Sequence, residues 1–331
     1  MILLTGSTGF LGSHIAEALV EAGHPVRCSV RSTSDTRWID SLGADIVELD
    51  LAASSQDLNP NARLEHEGDQ ARVKRPEALK DIEIVIHCGG LTRARDEAEF
   101  MRVNAGGTAR LAKASAAAGV TRFIYISSLA ARGPDGVGEP MSPYGRSKRA
   151  GEQGLEDNKG DMGTTVLRPG GIYGARDSAL LPMFEMAARG WVVVPRSEVP
   201  LQPIYVSDVG TATLAAIEEP STGAPVEVAG ARQYRWEDVA HALGAAVGDR
   251  ARVLRVPSGF FWTAGLVSEL WVRVVGGLPA MDRRKAWDIC HHSWTCDIEE
   301  AGRALGGWKP RVEIDEGMLR TAAWYREAGW L

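Results

Sequence analysis

Tyr144 and Lys148 stand four residues apart in Tyr-Gly-Arg-Ser-Lys. On a helix this spacing brings both side chains to one face, one turn apart. A phenol with an ordinary pKa of about 10 is a poor base near neutrality. A neighbouring ammonium favours the phenolate, which makes the pair a candidate for general acid–base chemistry. Ser127 and Ser128 close the apolar run Phe-Ile-Tyr-Ile. A hydroxyl at such a strand end can donate to a carbonyl oxygen as oxyanion character develops. The two serines are expected to face opposite ways. Asn104, in Val-Asn-Ala-Gly-Gly-Thr, is a candidate to hold a helix backbone or a water near Lys148; satisfying local backbone is its alternative role.

A second group of residues could hold a phosphate. Thr5-Gly6-Ser7-Thr8-Gly9-Phe10-Leu11-Gly12 follows a short apolar run and opens a helical one. Gly6 permits a tight turn. Gly9 lets a pyrophosphate approach backbone N–H groups at the helix N-terminus, and Gly12 permits close helix–strand packing. Thr8, Phe10 and Leu11 belong to the same turn and are counted with the cofactor contacts. The strand–turn–helix setting makes this a dinucleotide site. The second strand ends in Val30-Arg31-Ser32-Thr33-Ser34, where an acid would bind the ribose of NAD. A guanidinium flanked by hydroxyls suits a 2′-phosphate, so NADP is the favoured cofactor and NAD the alternative. Asp50 and Leu51, closing a third strand, are placed to meet the adenine edge, or form an ordinary polar strand end. An oxidised nicotinamide would add positive charge beside Tyr144.

Short apolar strands alternating with helical segments must position these groups, the pattern of a parallel sheet wrapped by helices. Strands are expected at Ile2–Leu4, Val26–Val30, Ile46–Leu49, Ile84–His87, Phe123–Ile126 and Val166–Arg168. Helices are expected at Phe10–Ala22, Glu77–Asp81, Glu97–Ala118 and from Ser142-Pro143 to Leu155. Residues 52–75 read as a polar surface insertion. Nine of the ten Trp lie at or beyond Trp191, more as the core of a small domain than as a ligand box. Phe260, Ala264, Val267, Trp271, Val274 and Leu278 share one helical stripe, with Glu269 and Arg273 opposite. A core or dimer-packing helix is the favoured reading of that stripe. An apolar lid or a membrane-surface contact through 259–278 is the alternative.

The 331 residues carry 44% hydrophobic and 24% charged side chains, a globular rather than a disordered balance. A net charge of -6 speaks against a nucleic-acid partner. Cys28, Cys88, Cys290 and Cys296, with His291 and His292, match no familiar zinc spacing, so no metal is expected. Met1 runs straight into a strand, with no export signal visible and no apolar run of membrane-spanning length, so a cytoplasmic location is expected.

Taken together these motifs resemble the extended short-chain dehydrogenase/reductase family over essentially the whole chain. The turn at Thr5–Gly12 resembles its T-G-x-x-G-x-x-G motif. His87-Cys88-Gly89-Gly90 resembles its H-x-A-A strand end, with glycines in place of alanines. The resemblance selects Ser128, with Tyr144 and Lys148, as the catalytic set. It adds Cys88, Gly89, Gly90, Pro169, Gly171, Ile172, Tyr144 and Lys148 to the cofactor contacts, the middle three from Arg168-Pro-Gly-Gly-Ile-Tyr-Gly. It implies a Rossmann doubly wound parallel sheet with a smaller, mostly helical C-terminal substrate region. The cofactor domain would comprise 1–170 and about 204–230, and the substrate region about 171–203 and 231–331. Leu129-Ala130 replace the acidic pair of the sugar-nucleotide dehydratases, and Gly171 replaces the Asn of the epimerases. The branch of dihydroflavonol reductases, 3β-hydroxysteroid dehydrogenases and 2-alkyl-3-oxoalkanoate reductases is therefore expected. Its members imply an NADP(H)-dependent oxidoreductase on an apolar small-molecule ketone or alcohol; a sugar-nucleotide epimerase with tightly held NAD, or a non-catalytic dinucleotide-binding module, is the alternative. A homodimer through 97–118 and 142–155 is also implied.

Overall fold

In the computed structural model, residues 1–51, 78–136, 138–248, 251–275, 287, 288 and 290–331 are described. Strand β1 (Ile2–Thr5) is buried along its whole length, as a strand covered on both faces must be. It is central to a seven-stranded, all-parallel sheet. Its neighbours are β2 (Val26–Val30) on one side and β4 (Ile84–His87) on the other, and β3 (Asp45–Glu48) closes the first edge. Beyond β4 come β5 (Arg122–Ile126), β6 (Gly163–Pro169) and β10 (Val226–Val228). The strand order reverses between β1 and β4. Loops leaving the carboxyl ends of those two strands must therefore diverge and leave a crevice.

Helices cover both faces. Ile15 and Leu19 of α1 (Phe10–Glu21) pack with Val209 and Ala212 of α6 (Val206–Glu218) on one side. On the other, Leu111 of α3 (Gly106–Ala117) and Leu155 of α4 (Pro143–Asn158) pack on Leu3, Val85 and Phe123. Ser142 caps α4 by accepting from Gly145 N at 3.0 Å, and Pro143 stands in its first turn, where a missing N–H costs nothing. A third core joins α5 (Leu181–Ala188), β8 (Trp191–Pro195), α7 (Trp236–Val247) and the last helix through Phe184, Val194, Leu243 and Tyr325. Two further strand pairs, β7 (Ile172–Tyr173) with β9 (Ile204–Tyr205) and β8 with β11 (Arg252–Val256), complete the order. Helices α8 (Ser258–Val275), α9 (Ile298–Ala304) and α10 (Ile314–Glu327) follow.

Several expectations need correction. The helix expected over 97–118 is broken: α2 (Glu97–Phe100) runs into a π-helical turn, Met101–Ala105, before α3. The wide turn brings Asn104 round to bond Leu91 and Ser147 rather than its own helix. Residues 78–81 form turns rather than a helix, with Asp81 at a positive φ of 60° that no helix tolerates. Short β10 escaped the periodicity because three residues carry none. The apolar stripe of α8 is not a core in its described half, since Phe260 is 54% and Val267 63% exposed; the side chains from 269 onward and Leu278 lie outside the described residues. The C-terminal Trp do not form one core either: Trp308 is buried, whereas Trp191, Trp262 and Trp287 are exposed. The insertion 52–75 lies outside the described residues. Among those residues no helix is long and apolar enough to cross a membrane.

Leu4 is fully buried at the centre of the sheet. Leu4→Ala is expected to lower stability by about 2–5 kcal/mol, measured by urea unfolding.

Candidate active site

The crevice between β1 and β4 is lined by two glycine turns pressed together. Gly6 has φ +73°, and a Cβ there would stand 2.7 Å from Gly89 N. A Cβ on Gly12 would overlap the Gly6 carbonyl oxygen. Gly9 heads α1 with no side-chain cap, and the first turn holds no acid. The leading N–H groups and the positive end of the helix dipole therefore face the crevice without a competing carboxylate. Such a cradle fits a pyrophosphate. Thr8, Phe10 and Leu11 are half-buried around it. The glycines that replace alanines after β4 have a local cause. A Cβ on Gly89 would meet Leu51 Cδ1 at 2.6 Å, and one on Gly90 would meet Asn104 Oδ1 at 3.0 Å.

Arg31 is exposed at the end of β2, in a turn where its N–H donates to Ser34 Oγ at 2.9 Å. Asp50 and Leu51 lie past β3, and Leu51 leans toward Gly89. Cys88 is enclosed, and burial pushes its thiol up to about 11, so it adds no charge beside the turn. Pro169 is buried at the end of β6, Gly171 is exposed, and Ile172 pairs with Ile204. A Cβ on Gly171 would meet nothing within 4 Å.

The three chemical groups converge beyond β5. Ser128, in extended conformation, caps a 3₁₀ turn over Leu129–Ala131 and accepts from Ala130 N at 3.2 Å. Its hydroxyl also acts on the Tyr144 phenol, lowering the phenol pKa. Ser127 points the other way and donates to Glu152 Oε1 at 2.5 Å. A Cβ on Gly145 would overlap the Ala130 carbonyl, so the turn rests directly on α4 beside Tyr144. Lys148, one turn on, is buried; its Nζ donates to the Ile126 carbonyl at 2.7 Å and lies 4.5 Å above the Tyr125 ring. Asn104 donates to Ser147 Oγ at 2.9 Å and to the Leu91 carbonyl at 3.0 Å, and accepts from Leu91 N at 2.7 Å. It thus braces the residue next to Lys148 against the loop after β4.

Burial raises the Tyr144 pKa above the ordinary phenol value, outweighing the Lys148 ammonium, which lowers it. The expected depression by Lys148 is thus present but does not win in the chain alone. A raised value keeps the phenol protonated near neutrality, the form that donates to a carbonyl oxygen.

Two contributors were not read from the sequence as site residues. Phe100 meets the Tyr144 ring edge-on, with centroids 6.0 Å apart, and only the π turn brings it there. His87 lies at the centre of a buried polar chain. Thr108 Oγ1 donates to the Asn104 carbonyl at 2.6 Å, so its one proton is used. His87 Nε2, 3.0 Å away, must then donate to Thr108, and Nδ1 must accept from Thr5 Oγ1 at 2.6 Å. Thr5 Oγ1 in turn accepts from Gly89 N at 3.1 Å. A neutral His87 therefore joins both glycine turns to the π turn carrying Asn104. Burial, helped by the Lys148 charge, pushes its pKa down to about 3.

A dinucleotide-binding sheet with a hydroxyl, a phenol and an ammonium at its crevice defines a class of enzyme. Residues 2–229 match the NAD dependent epimerase/dehydratase family, and the chain belongs to that family. The family and its reductase and dehydrogenase members make it a NAD(P)-dependent enzyme acting on CH–OH or keto groups. It is similar to the ceramide reductase of Caulobacter vibrioides, 31% identical over 338 residues that cover 100% of this chain and 96% of the relative. It is also similar to the 2-alkyl-3-oxoalkanoate reductase of Stenotrophomonas maltophilia, 27% identical over 346 residues, 97% of this chain and 98% of that one. The resemblance drawn from the motifs is borne out. Among solved structures, the UDP-glucose 4-epimerase of Thermotoga maritima with UDP-glucose matches over 99% of both chains, with a TM-score of 0.76 at 22% identity. That likeness shows the fold.

His87 makes a prediction about acid. Its pKa falls from the unfolded value of about 6.5 to about 3 in the fold, so below pH 6.5 the unfolded chain binds the extra proton. The stability it contributes is complete above pH 6.5 and is lost as pH drops toward 3. His87→Phe, which keeps the stack on Tyr125, is expected to be less stable at pH 7. Between pH 6 and 4 it should lose less further stability than wild type, by at most about 1.4 kcal/mol per pH unit. Urea midpoints measured across that range check both.

Proposed function

We propose that the chain is an NADP(H)-dependent oxidoreductase interconverting a ketone and a secondary alcohol on an apolar substrate, steroid-like, flavonoid-like or acyl-chain in kind. The observation that carries this reading is the seating of the turn capped by Ser128 on α4 at Gly145, beside Tyr144, with Lys148 one turn further on, at the carboxyl ends of the sheet. In reduction, the Ser128 and Tyr144 hydroxyls would hold the carbonyl oxygen, and Tyr144 would give it a proton as negative charge develops there. Lys148 would bind the ribose next to the nicotinamide and stabilise the phenolate left behind. When bound, the nicotinamide supplies or accepts the hydride. Gly6, Gly9 and Gly12 would admit the pyrophosphate, with Gly89 and Gly90 beside it. Arg31 would meet the 2′-phosphate.

The reductase names of two relatives support the apolar substrate. So does Gly171, which offers no side chain where the Asn of an epimerase would meet a nucleotide-sugar. The substrate would lie between the cofactor domain, residues 1–170 and about 204–230, and the remainder of the chain. A homodimer through the segments 97–118 and 142–155 belongs to the same reading.

The test is ketone-dependent oxidation of NADPH by purified protein over a panel of acyl-chain and steroid ketones. Tyr144→Phe is expected to lower kcat by about 10²–10⁴-fold with NADPH binding retained, and an active Phe variant refutes the mechanism. Arg31→Ala is expected to raise the KM for NADPH about tenfold or more and to leave that for NADH unchanged, as loss of one charged phosphate contact predicts. Stoichiometric NAD released from freshly denatured wild type, with no ketone reduced, would point to an epimerase.

A further inference from the structure

Arg132 directly follows the turn that Ser128 caps, and its guanidinium reaches the far part of the chain. Nη1 lies 2.9 Å from Glu227 Oε2 on β10, and Nη2 donates to the Thr295 carbonyl ahead of α9. The next residue, Cys296, donates its N–H to Gln202 Oε1 at 2.9 Å, and Gln202 Nε2 donates to the Gly230 carbonyl at 2.9 Å. Residues 295 and 296 are thus gripped by their backbone from two sides. The grip continues inward. Glu227 Oε1 faces Arg168 Nη1 at 3.8 Å, and Arg168 forks onto Glu152 at 2.9 and 2.6 Å. Glu152 receives the Ser127 hydroxyl, one residue before Ser128. Four alternating charges, none more than 23% exposed, therefore connect the segment at 295–296 to both flanks of Ser128. Such a chain is stiff because removing one member leaves a half-buried charge without its counter-charge.

We propose that Arg132 is a positioning residue of the substrate site. Held by Glu227, it fixes residues 293–297 against the turn carrying Ser128 and so sets the space left for the apolar part of the ketone. The inference rests on the reductase reading above. Arg132 holds the backbone carbonyl of Thr295, and the Thr295 hydroxyl is hydrogen-bonded to that of Ser293 at 3.1 Å, which ties Ser293 to the same anchor.

The test uses the full chain with NADPH, a short-chain and a long-chain ketone, and the variants Arg132→Ala, Arg132→Lys, Glu227→Gln and the Ala/Gln double variant. Arg132→Ala is expected to raise the KM for the long-chain ketone about tenfold and to leave NADPH affinity and the short-chain kcat unchanged. The double variant should be no worse than Arg132→Ala, since the two act as one unit, and Arg132→Lys should recover part of the loss. Amide exchange at Cys296 should quicken in Arg132→Ala. If Arg132→Ala fails to fold, Glu227→Gln must show the same KM shift and faster exchange in smaller measure. Unchanged exchange at Cys296, or an equal fall in kcat for both ketones with KM unmoved, overturns the proposal. Faster exchange in a chain whose wild type reduces no ketone overturns the reductase reading and removes the substrate role from Arg132, leaving a structural anchor.

Discussion

The approach of Gly6 to Gly89 is the constraint on which the rest of the crevice depends. No Cβ fits between the two turns, so the loops leaving β1 and β4 touch backbone to backbone at the point where the strand order reverses. A doubly wound sheet would otherwise splay there. Contact at this depth leaves the N-terminus of α1 uncapped and open. It also places Gly90 against Asn104, so the glycine turns and the brace of α4 share a wall. The buried chain from Gly89 through Thr5, His87 and Thr108 to the Asn104 carbonyl holds the same junction from beneath. Every donor in it has one acceptor, and a protonated His87 could not satisfy both threonines.

Position on the sheet then decides what the phenol can do. Tyr144 is enclosed by Phe100, Ser128 and the helix below it, and enclosure favours the neutral form. Lys148 stands close enough to oppose that effect, yet its ammonium is also bonded to the Ile126 carbonyl. The chain alone therefore holds a proton donor. Only further positive charge placed beside the phenol would favour its phenolate over this enclosed, neutral form.

Much of this was legible in the residues themselves. Strands β1, β2 and β4 follow from short apolar runs between turn residues, and α4 from Ser142-Pro143 with the four-residue spacing of Tyr144 and Lys148. The opposite facing of Ser127 and Ser128 follows from strand alternation. What escaped has no local signature. The π turn at 101–105 exists because Asn104 finds partners at Leu91 and Ser147, far from it in sequence. Phe100 looks like any core aromatic until that turn rotates it onto Tyr144. The glycines at 89 and 90 read as a departure from a family pattern, whereas the side chains of Leu51 and Asn104 are what exclude a Cβ there. The stripe on α8 has the right period for a buried helix but is exposed in its described half, because periodicity reports that a face is apolar and not what covers it.

The same distinction separates the two halves of the enzyme. The cofactor side is specified by backbone: glycines, strand ends and a helix N-terminus, all of which leave motifs. Toward the C-terminus, the segment that meets the catalytic turn is held by side chains reaching main-chain atoms, Arg132 to Thr295 and Gln202 to Cys296. An anchor of that kind places no demand on the residues it holds. Within the segment, the hydroxyls of Ser293 and Thr295 are hydrogen-bonded to each other at 3.1 Å. The fold thus fixes the groups beyond β5 by motif and the segment at 295–296 by capture of its backbone.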